Sequence, residues 1–168
     1  AEALHGRERL QEARRQARVP LEAWASRQPC TEALAEFLHG PWRLAYERAC
    51  LLEDADPERP RALHALGEGL LALDAAAREP GGDIARRWLA LAADVEACCR
   101  GTGMEGAGFD LLVARMVFAF AHPDMPRRMH PLPADADADG GDAEARAALS
   151  LAGGLDTVAH DPALAARM

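Results

Sequence analysis

Apolar residues recur at steps of three and four through most of residues 1–121, which is the spacing of one face of an α-helix. The clearest case runs over about residues 58–78, where the two step lengths alternate. Its members are Leu63, Leu66, Leu70, Leu73 and Ala77. This spacing is typical of a coiled-coil-like seam, in which neighbouring helices pack nearly parallel or antiparallel. We expect the seam to be internal to a helical bundle, and to support a dimer only where it stays exposed.

Three more stretches show helical spacing of apolar residues. Residues 4–18 predict a charged amphipathic helix that ends near Val19-Pro20 and then resumes for two turns. A helix with heptad spacing is expected from about Ile84 to Cys98, after Asp83 as its N-cap. The last stretch, residues 105–121, is the most apolar, and we expect it to form the most central helix.

Another predicted helix contains a Gly-Pro pair. It is expected to begin after Thr31, which is a suitable N-cap, and its apolar stripe runs from Leu34 to Leu52. Gly40-Pro41 interrupts the stripe. Either the helix kinks at this point, or Gly40 ends one helix and Pro41 begins the next.

The regular spacing ends after residue 121. Four prolines lie between His122 and Ala134, and the residues that follow are acidic and of low complexity. We expect residues 122–168 to form a Pro- and Asp-rich flexible tail, disordered and acidic, with a short helix at 142–151. For residues 1–121 we predict an all-α fold, an antiparallel bundle of about five or six helices. No run of alternating apolar residues predicts a strand.

The charge pattern bears on the kind of partner. All 19 basic residues are arginine, and the formal net charge is −8. Five acids and no base lie between Ala134 and Glu144, so the rest of the chain is only mildly acidic. The arginine pairs are scattered among acids and form no continuous basic face. A sequence-independent nucleic-acid binder needs such a face, so we expect no nucleic-acid partner.

Cysteine use and hydropathy bear on the compartment. The four cysteines form neither a C-x-x-C pair nor a disulfide framework, which indicates reduced thiols and a cytoplasmic protein. No apolar run approaches the roughly 18 residues that predict a membrane-spanning helix, so we expect no membrane partner. The chain begins at Ala1, which is compatible with a piece of a longer protein.

Residue types that carry catalysis are scarce. Neither Ser26 nor Ser150 lies in a nucleophile motif, and the lack of lysine excludes a P-loop or a Schiff base. We therefore expect no enzymatic activity and no cofactor. An alternative is a small hydrolase or transferase in which carboxylates meet His39 or His64. The carboxylates in question are Glu53, Asp54 and Asp56.

One string matches the first half of a calcium-binding loop. It reads Asp135-Ala136-Asp137-Ala138-Asp139-Gly140. Carboxylates at alternate positions converge on one cation, and the glycine allows the sharp turn. The second half departs from the pattern, because position twelve is Arg146 instead of a bidentate glutamate. Two interpretations therefore stay open for the loop Asp135–Asp142. It is either a metal site formed by Asp135, Asp137 and Asp139, or a solvated acidic linker.

Phe37 and Trp42 lie on one apolar seam. They are either core anchors or aromatic hot spots for a partner protein. With no catalytic motif, the leading interpretation is a non-catalytic cytoplasmic protein-interaction or regulatory module. Its partner is then another protein or a second copy of itself.

The segment from Glu32 to about Gly106 resembles a known family. The matching residues are Ala35-Glu36-Phe37-Leu38-His39-Gly40-Pro41-Trp42, then Tyr46-Glu47-Arg48-Ala49, then the leucine seam and a helix ending near Cys99. They are similar to the helical part of the proteobacterial domain of unknown function 1631 family, whose members are often automatically labelled thymidine phosphorylase. The resemblance implies a cytoplasmic helical module with a regulatory or interaction role, and it supplies no catalytic residue. Such phosphorylases need phosphate- and base-binding elements on an α/β scaffold, and nothing in this sequence supports that label.

Overall fold

The computed structural model describes residues 2–104 and 106–133, and within them every regular element is helical. The elements are α1 (Glu2–Arg27), α2 (Glu32–Phe37), a π-helical turn (Leu38–Trp42), α3 (Arg43–Leu51), α4 (Glu58–Ala76), α5 (Ile84–Gly101) and α6 (Ala107–Ala121). The prediction of an all-α fold is confirmed. Each of these helices is too short or too polar to cross a membrane.

Helix α1 continues through a proline. The predicted break near Val19-Pro20 is absent, and Pro20 lies inside one helix of 26 residues. A proline in a helix removes one backbone hydrogen bond and costs about 3 kcal/mol. Leu21 and Trp24, which follow the proline, are buried in the core, and their burial holds the last two turns on the same helix.

The Gly40-Pro41 pair is also contained within continuous helical structure. Residues 38–42 form a π-helical turn that joins α2 directly to α3. Of the two alternatives, the structure therefore has one helix that changes at Gly40-Pro41, and not two separate helices. The wider turn accommodates a residue that has no backbone N–H to donate. It also directs Trp42 into the core, where its Nε1 donates a hydrogen bond of 2.7 Å to the carbonyl oxygen of Leu63.

Aromatic rings occupy the centre of the bundle. The rings of Trp24 and Trp42 meet edge to face with centroids 5.0 Å apart, and Tyr46 stacks on Trp42 at 4.9 Å. Trp24 lies directly over Gly67 of α4, which leaves no space for a Cβ atom. The absence of a side chain at Gly67 therefore allows α1 and α4 to approach closely.

The leucine seam of α4 is internal, as expected. All five of its positions, from Leu63 to Ala77, are buried. They belong to a single hydrophobic core that also includes Val95 and Cys98 of α5 and Met116 of α6. An exposed dimerisation seam on α4 is therefore not available.

Helix α6 is less central than its apolar composition suggests. One face is buried through Leu112, Met116 and Phe120, but Leu111 and Phe118 are exposed. A helix that is apolar on most of its circumference packs against neighbours on several sides or leaves one apolar face without a partner. In this structure α6 lies at the edge of the bundle and leaves such a face.

The chain after α6 remains attached to the helices. The compact unit that contains the helices extends as far as Leu132, whereas the flexible tail was expected to begin at residue 122. An isolated antiparallel bridge joins Cys30 to Arg128, with both N–H···O distances at 3.0 Å. We call residues 122–132 the C-terminal strap. The prolines exclude helix and extended sheet here, but they do not prevent a segment from being fixed by side-chain contacts.

Candidate functional site

A buried carboxylate anchors the C-terminal strap. Asp74 of α4 has no exposed surface, and its Oδ2 accepts a hydrogen bond of 3.2 Å from Nε of Arg127. Its Oδ1 accepts a bond of 3.3 Å from the hydroxyl of Thr31. Thr31 is the N-cap of α2, but its side chain makes no capping bond and faces Asp74 instead. The polar anchor thus joins α2, α4 and the strap.

The guanidinium of Arg127 satisfies several acceptors at once. Besides Asp74, it donates to the carbonyl oxygens of Ala119, Pro123 and Met125 at distances of 3.3, 3.1 and 3.0 Å. These bonds compensate the buried charge and fix the path of the strap at the end of α6. The sequence contained one signal for this site, namely an acid within the apolar run that ends α4. The position of its partner in a proline-rich segment gave no such signal.

Burial changes the titration of the groups around the anchor. Burial raises the pKa of the Asp74 carboxyl, against the opposing effects of Arg127 and Thr31. Burial also raises the pKa of the Cys30 thiol to about 12. The pKa of His39 is lowered, first by burial and then by His130 and Arg43. Burial thus disfavours the charged form of each of these three groups.

His39 and His130 both line a small cavity of about 20 Å³, as does Cys30. Nε2 of His130 lies 3.2 Å from the carbonyl oxygen of Cys30, which adds a further tie between the strap and the start of α2. A volume of this size accommodates about one water molecule. It is too small for an organic ligand.

The strap forms one wall of a larger cleft. This cleft, of about 810 Å³, lies between α2, α6 and residues 125–130. Its charged lining residues are Glu32, Arg115 and Arg128, and its exposed apolar ones include Phe118 and Met129. We call it the strap cleft.

A second hollow has a different lining. It measures about 590 Å³ and lies between the end of α4, the start of α5 and the end of α6. Its main lining side chains are Ile84, Trp88, Leu89, Val117 and Phe120. Glu79 is its only charged lining residue within the described part of the chain. We call it the apolar groove.

The predicted aromatic partner site is corrected by the structure. Phe37 and Trp42 are both completely buried, so they are core anchors and present no surface to a partner. Their seam is covered because the π-helical turn points Trp42 inward and α6 packs over α2. Phe118 is exposed and Trp88 is half-buried, so accessible aromatic surface is present at these two rings instead. The heptad spacing did not distinguish Trp88 from a core position.

The predicted metal ligands Asp135, Asp137 and Asp139 lie outside the described residues, so the metal prediction stays open. Within residues 2–104 and 106–133, no group of three or more His, Cys, Asp or Glu side chains is placed to hold a metal ion.

The carboxylates proposed for a hydrolase or transferase do not converge with a histidine. Those of the acidic loop, Glu53, Asp54 and Asp56, are all exposed. The ring of His64 lies tilted against that of Trp24, with centroids 5.4 Å apart, and its nearest carboxylate is Glu68 at 3.9 Å. The geometry offers no acid–base pair at this position.

These features define an all-α helical module with a buried polar anchor, the strap cleft and the apolar groove. Residues 3–107 match the family model described as "Protein of unknown function (DUF1631) third domain". The chain belongs to this family, as the motif around Gly40-Pro41 indicated. No curated protein and no solved structure matches the chain. Helix α6 and the C-terminal strap lie almost wholly beyond the matched residues.

Proposed function

We propose that the chain is a non-catalytic, cytoplasmic protein-interaction module, and that its main docking surface is the apolar groove between α5 and α6. The observation that carries the proposal is the exposure of large apolar side chains in this groove. Leu89 is 74% exposed, Val117 is exposed and Trp88 is only half-buried. Single exposed apolar residues are ordinary on protein surfaces, whereas a contiguous apolar hollow is typical of an interaction site.

The occupant that fits is the apolar face of an α-helix from a partner protein. The groove lies between two helices, and a third helix continues their packing by placing its side-chain ridge between them. Trp88 supplies the large, rigid aromatic surface that is enriched at the centre of protein interfaces. Apart from Glu79, the described residues that line the groove offer no side chain that could act as a nucleophile, an acid or a base, which supports a non-catalytic role.

The proposal is tested with helical peptides selected for binding to the chain from a library of amphipathic sequences. Affinity is measured by fluorescence anisotropy, and the environment of Trp88 by tryptophan emission. We expect Leu89→Glu to weaken binding about tenfold or more, because it places a charge in the groove. The control is Leu44→Glu, which changes a half-exposed leucine of α3 that does not line the groove.

Equal binding to both variants, or the absence of any binding helix, would overturn the proposal. Light scattering tests whether a second copy of the chain, instead of a partner helix, occupies the groove. A mass of twice 18.0 kDa that returns to the monomer value in Leu89→Glu would replace the partner helix by a second copy of the chain.

A further inference from the structure

We propose that the strap cleft is a second docking site, which takes an acidic peptide segment whose carboxylates are flanked by apolar side chains. The assignment rests on the proposed role of the chain as an interaction module and adds a separate surface with a different preference. It depends on three properties of the cleft, namely its fixed wall, its charge and its exposed apolar side chains.

The wall of the cleft is fixed before any ligand binds. The strap is held by the buried bonds of Arg127 and by the backbone bridge between Cys30 and Arg128. Arg127 does not itself line the cleft, and the bridge between Cys30 and Arg128 uses backbone atoms only. Within residues 2–104 and 106–133, neither connection uses the side chain of Arg128, so a ligand can engage that side chain without loosening the strap. A pre-formed site avoids much of the ordering cost that a flexible segment incurs on binding.

The charged lining of the cleft differs from the chain as a whole, because arginines outnumber carboxylates in it. The chain carries a formal charge of −8, yet the cleft is lined by two arginines and one carboxylate. Arg115 is paired with Glu36 at the rim. Arg128 is exposed, and its side chain makes no hydrogen bond or ion pair within the described residues. A guanidinium that the described residues leave without an acidic partner on a concave surface can bind a carboxylate with two parallel hydrogen bonds.

Apolar side chains lie beside this cation. Phe118 is 52% exposed and Met129 is 46% exposed, and both line the cleft. Methionine adapts to different ligand shapes, and aromatic residues, methionine and arginine are enriched at protein interfaces. An acid alone leaves these side chains in water, and an apolar peptide alone brings no carboxylate to Arg128. The combination of acidic and apolar residues in one segment satisfies both.

The test compares three labelled peptides of equal length by fluorescence anisotropy with the full chain. The first alternates Glu with Leu and Phe, the second replaces every Glu by Lys, and the third replaces every Leu and Phe by Ser. We expect only the first peptide to bind, and its affinity to fall with increasing salt. Arg128→Glu is expected to weaken binding about tenfold or more, while Arg128→Lys retains part of it.

The charge control is Arg7→Glu, which makes the same charge change on an exposed residue of α1 that does not line the cleft. Comparable binding by Arg128→Glu and the unchanged chain, or by the acidic and the lysine peptide, would overturn the assignment. If Leu89→Glu abolishes binding and Arg128→Glu does not, the peptide occupies the apolar groove. That result removes the second site and leaves the proposed function intact. Conversely, binding that responds only to Arg128→Glu supports the cleft independently of the groove.

Discussion

The side chains of Asp74 and Arg127 are 53 residues apart in the chain and form an ion pair that is almost completely shielded from water. The pair joins the middle of the matched domain to a segment beyond it. Because the desolvation of two charges is costly, such a pair adds little net stability over an apolar pair of the same volume. Its main effect is to determine where the strap lies, and so to form one wall of the strap cleft.

Removing one partner of this pair should be far more damaging than removing both. Arg127→Met leaves the carboxylate of Asp74 buried without its cation, and we expect a loss of about 3–5 kcal/mol in the free energy of unfolding. Combining Arg127→Met with Asp74→Leu should recover much of that loss. The measurement is urea denaturation followed by circular dichroism.

The neighbouring residue supplies the control for this prediction. Arg128→Met removes an exposed guanidinium with no ion pair among the described residues, and we expect a change of no more than about 0.5 kcal/mol. If Arg127→Met and Arg128→Met destabilise the chain equally, the buried pair does not hold the strap.

The contact between Gly67 and Trp24 makes a second prediction. A Cβ atom added at Gly67 would lie 2.2 Å from Cη2 of Trp24, which is closer than two non-bonded carbon atoms can approach. Alanine is usually favoured over glycine within a helix by about 1 kcal/mol. We nevertheless expect Gly67→Ala to destabilise the chain by about 1–3 kcal/mol, because α1 must move away from α4.

Gly69 of the same helix is the matched control. Its Cβ atom meets only the end of the flexible Leu91 side chain, at 3.2 Å, so a small rotation relieves the contact. We expect Gly69→Ala to be nearly neutral or slightly stabilising in thermal unfolding. A stabilising effect of Gly67→Ala would show that the indole of Trp24 has room to move.

Local features were predictable from the sequence, and long-range ones were not. The helices and the buried seam from Leu63 to Ala77 follow from a spacing that each segment carries within itself. Whether Pro20 ends a helix depends instead on the burial of Leu21 and Trp24, which tertiary packing decides. The anchor at Asp74 and both hollows arise where distant segments meet. A proline-rich composition indicates only that a segment such as residues 122–132 is irregular, and not that it is free.

The cysteines should be unreactive while the chain is folded. Burial raises the pKa of Cys30 and of Cys98 to about 12, and that of Cys50 to about 11. Because the thiolate is the reactive form, alkylation by iodoacetamide near neutral pH should be much slower than for free cysteine. In denaturant all four cysteines should react. Rapid labelling of Cys30 in the native chain, located by mass spectrometry, would contradict its burial beneath the strap.

The surroundings of His39 predict how stability depends on pH. Its folded-state pKa is lowered below 6.5, so the unfolded chain binds more protons near that pH than the folded chain does. The contribution of His39 to stability is therefore complete above about pH 6.5 and is lost as the pH falls toward the folded pKa. We expect the free energy of unfolding of the unchanged chain to decrease as the pH falls from about 7.5 to about 5, the range in which histidine titrates. The decrease should be steeper than that of His39→Gln. His5→Gln, a change at an exposed position of α1, should leave the slope unaltered. Parallel profiles for the unchanged chain and His39→Gln would show that the histidine is solvated in the folded state.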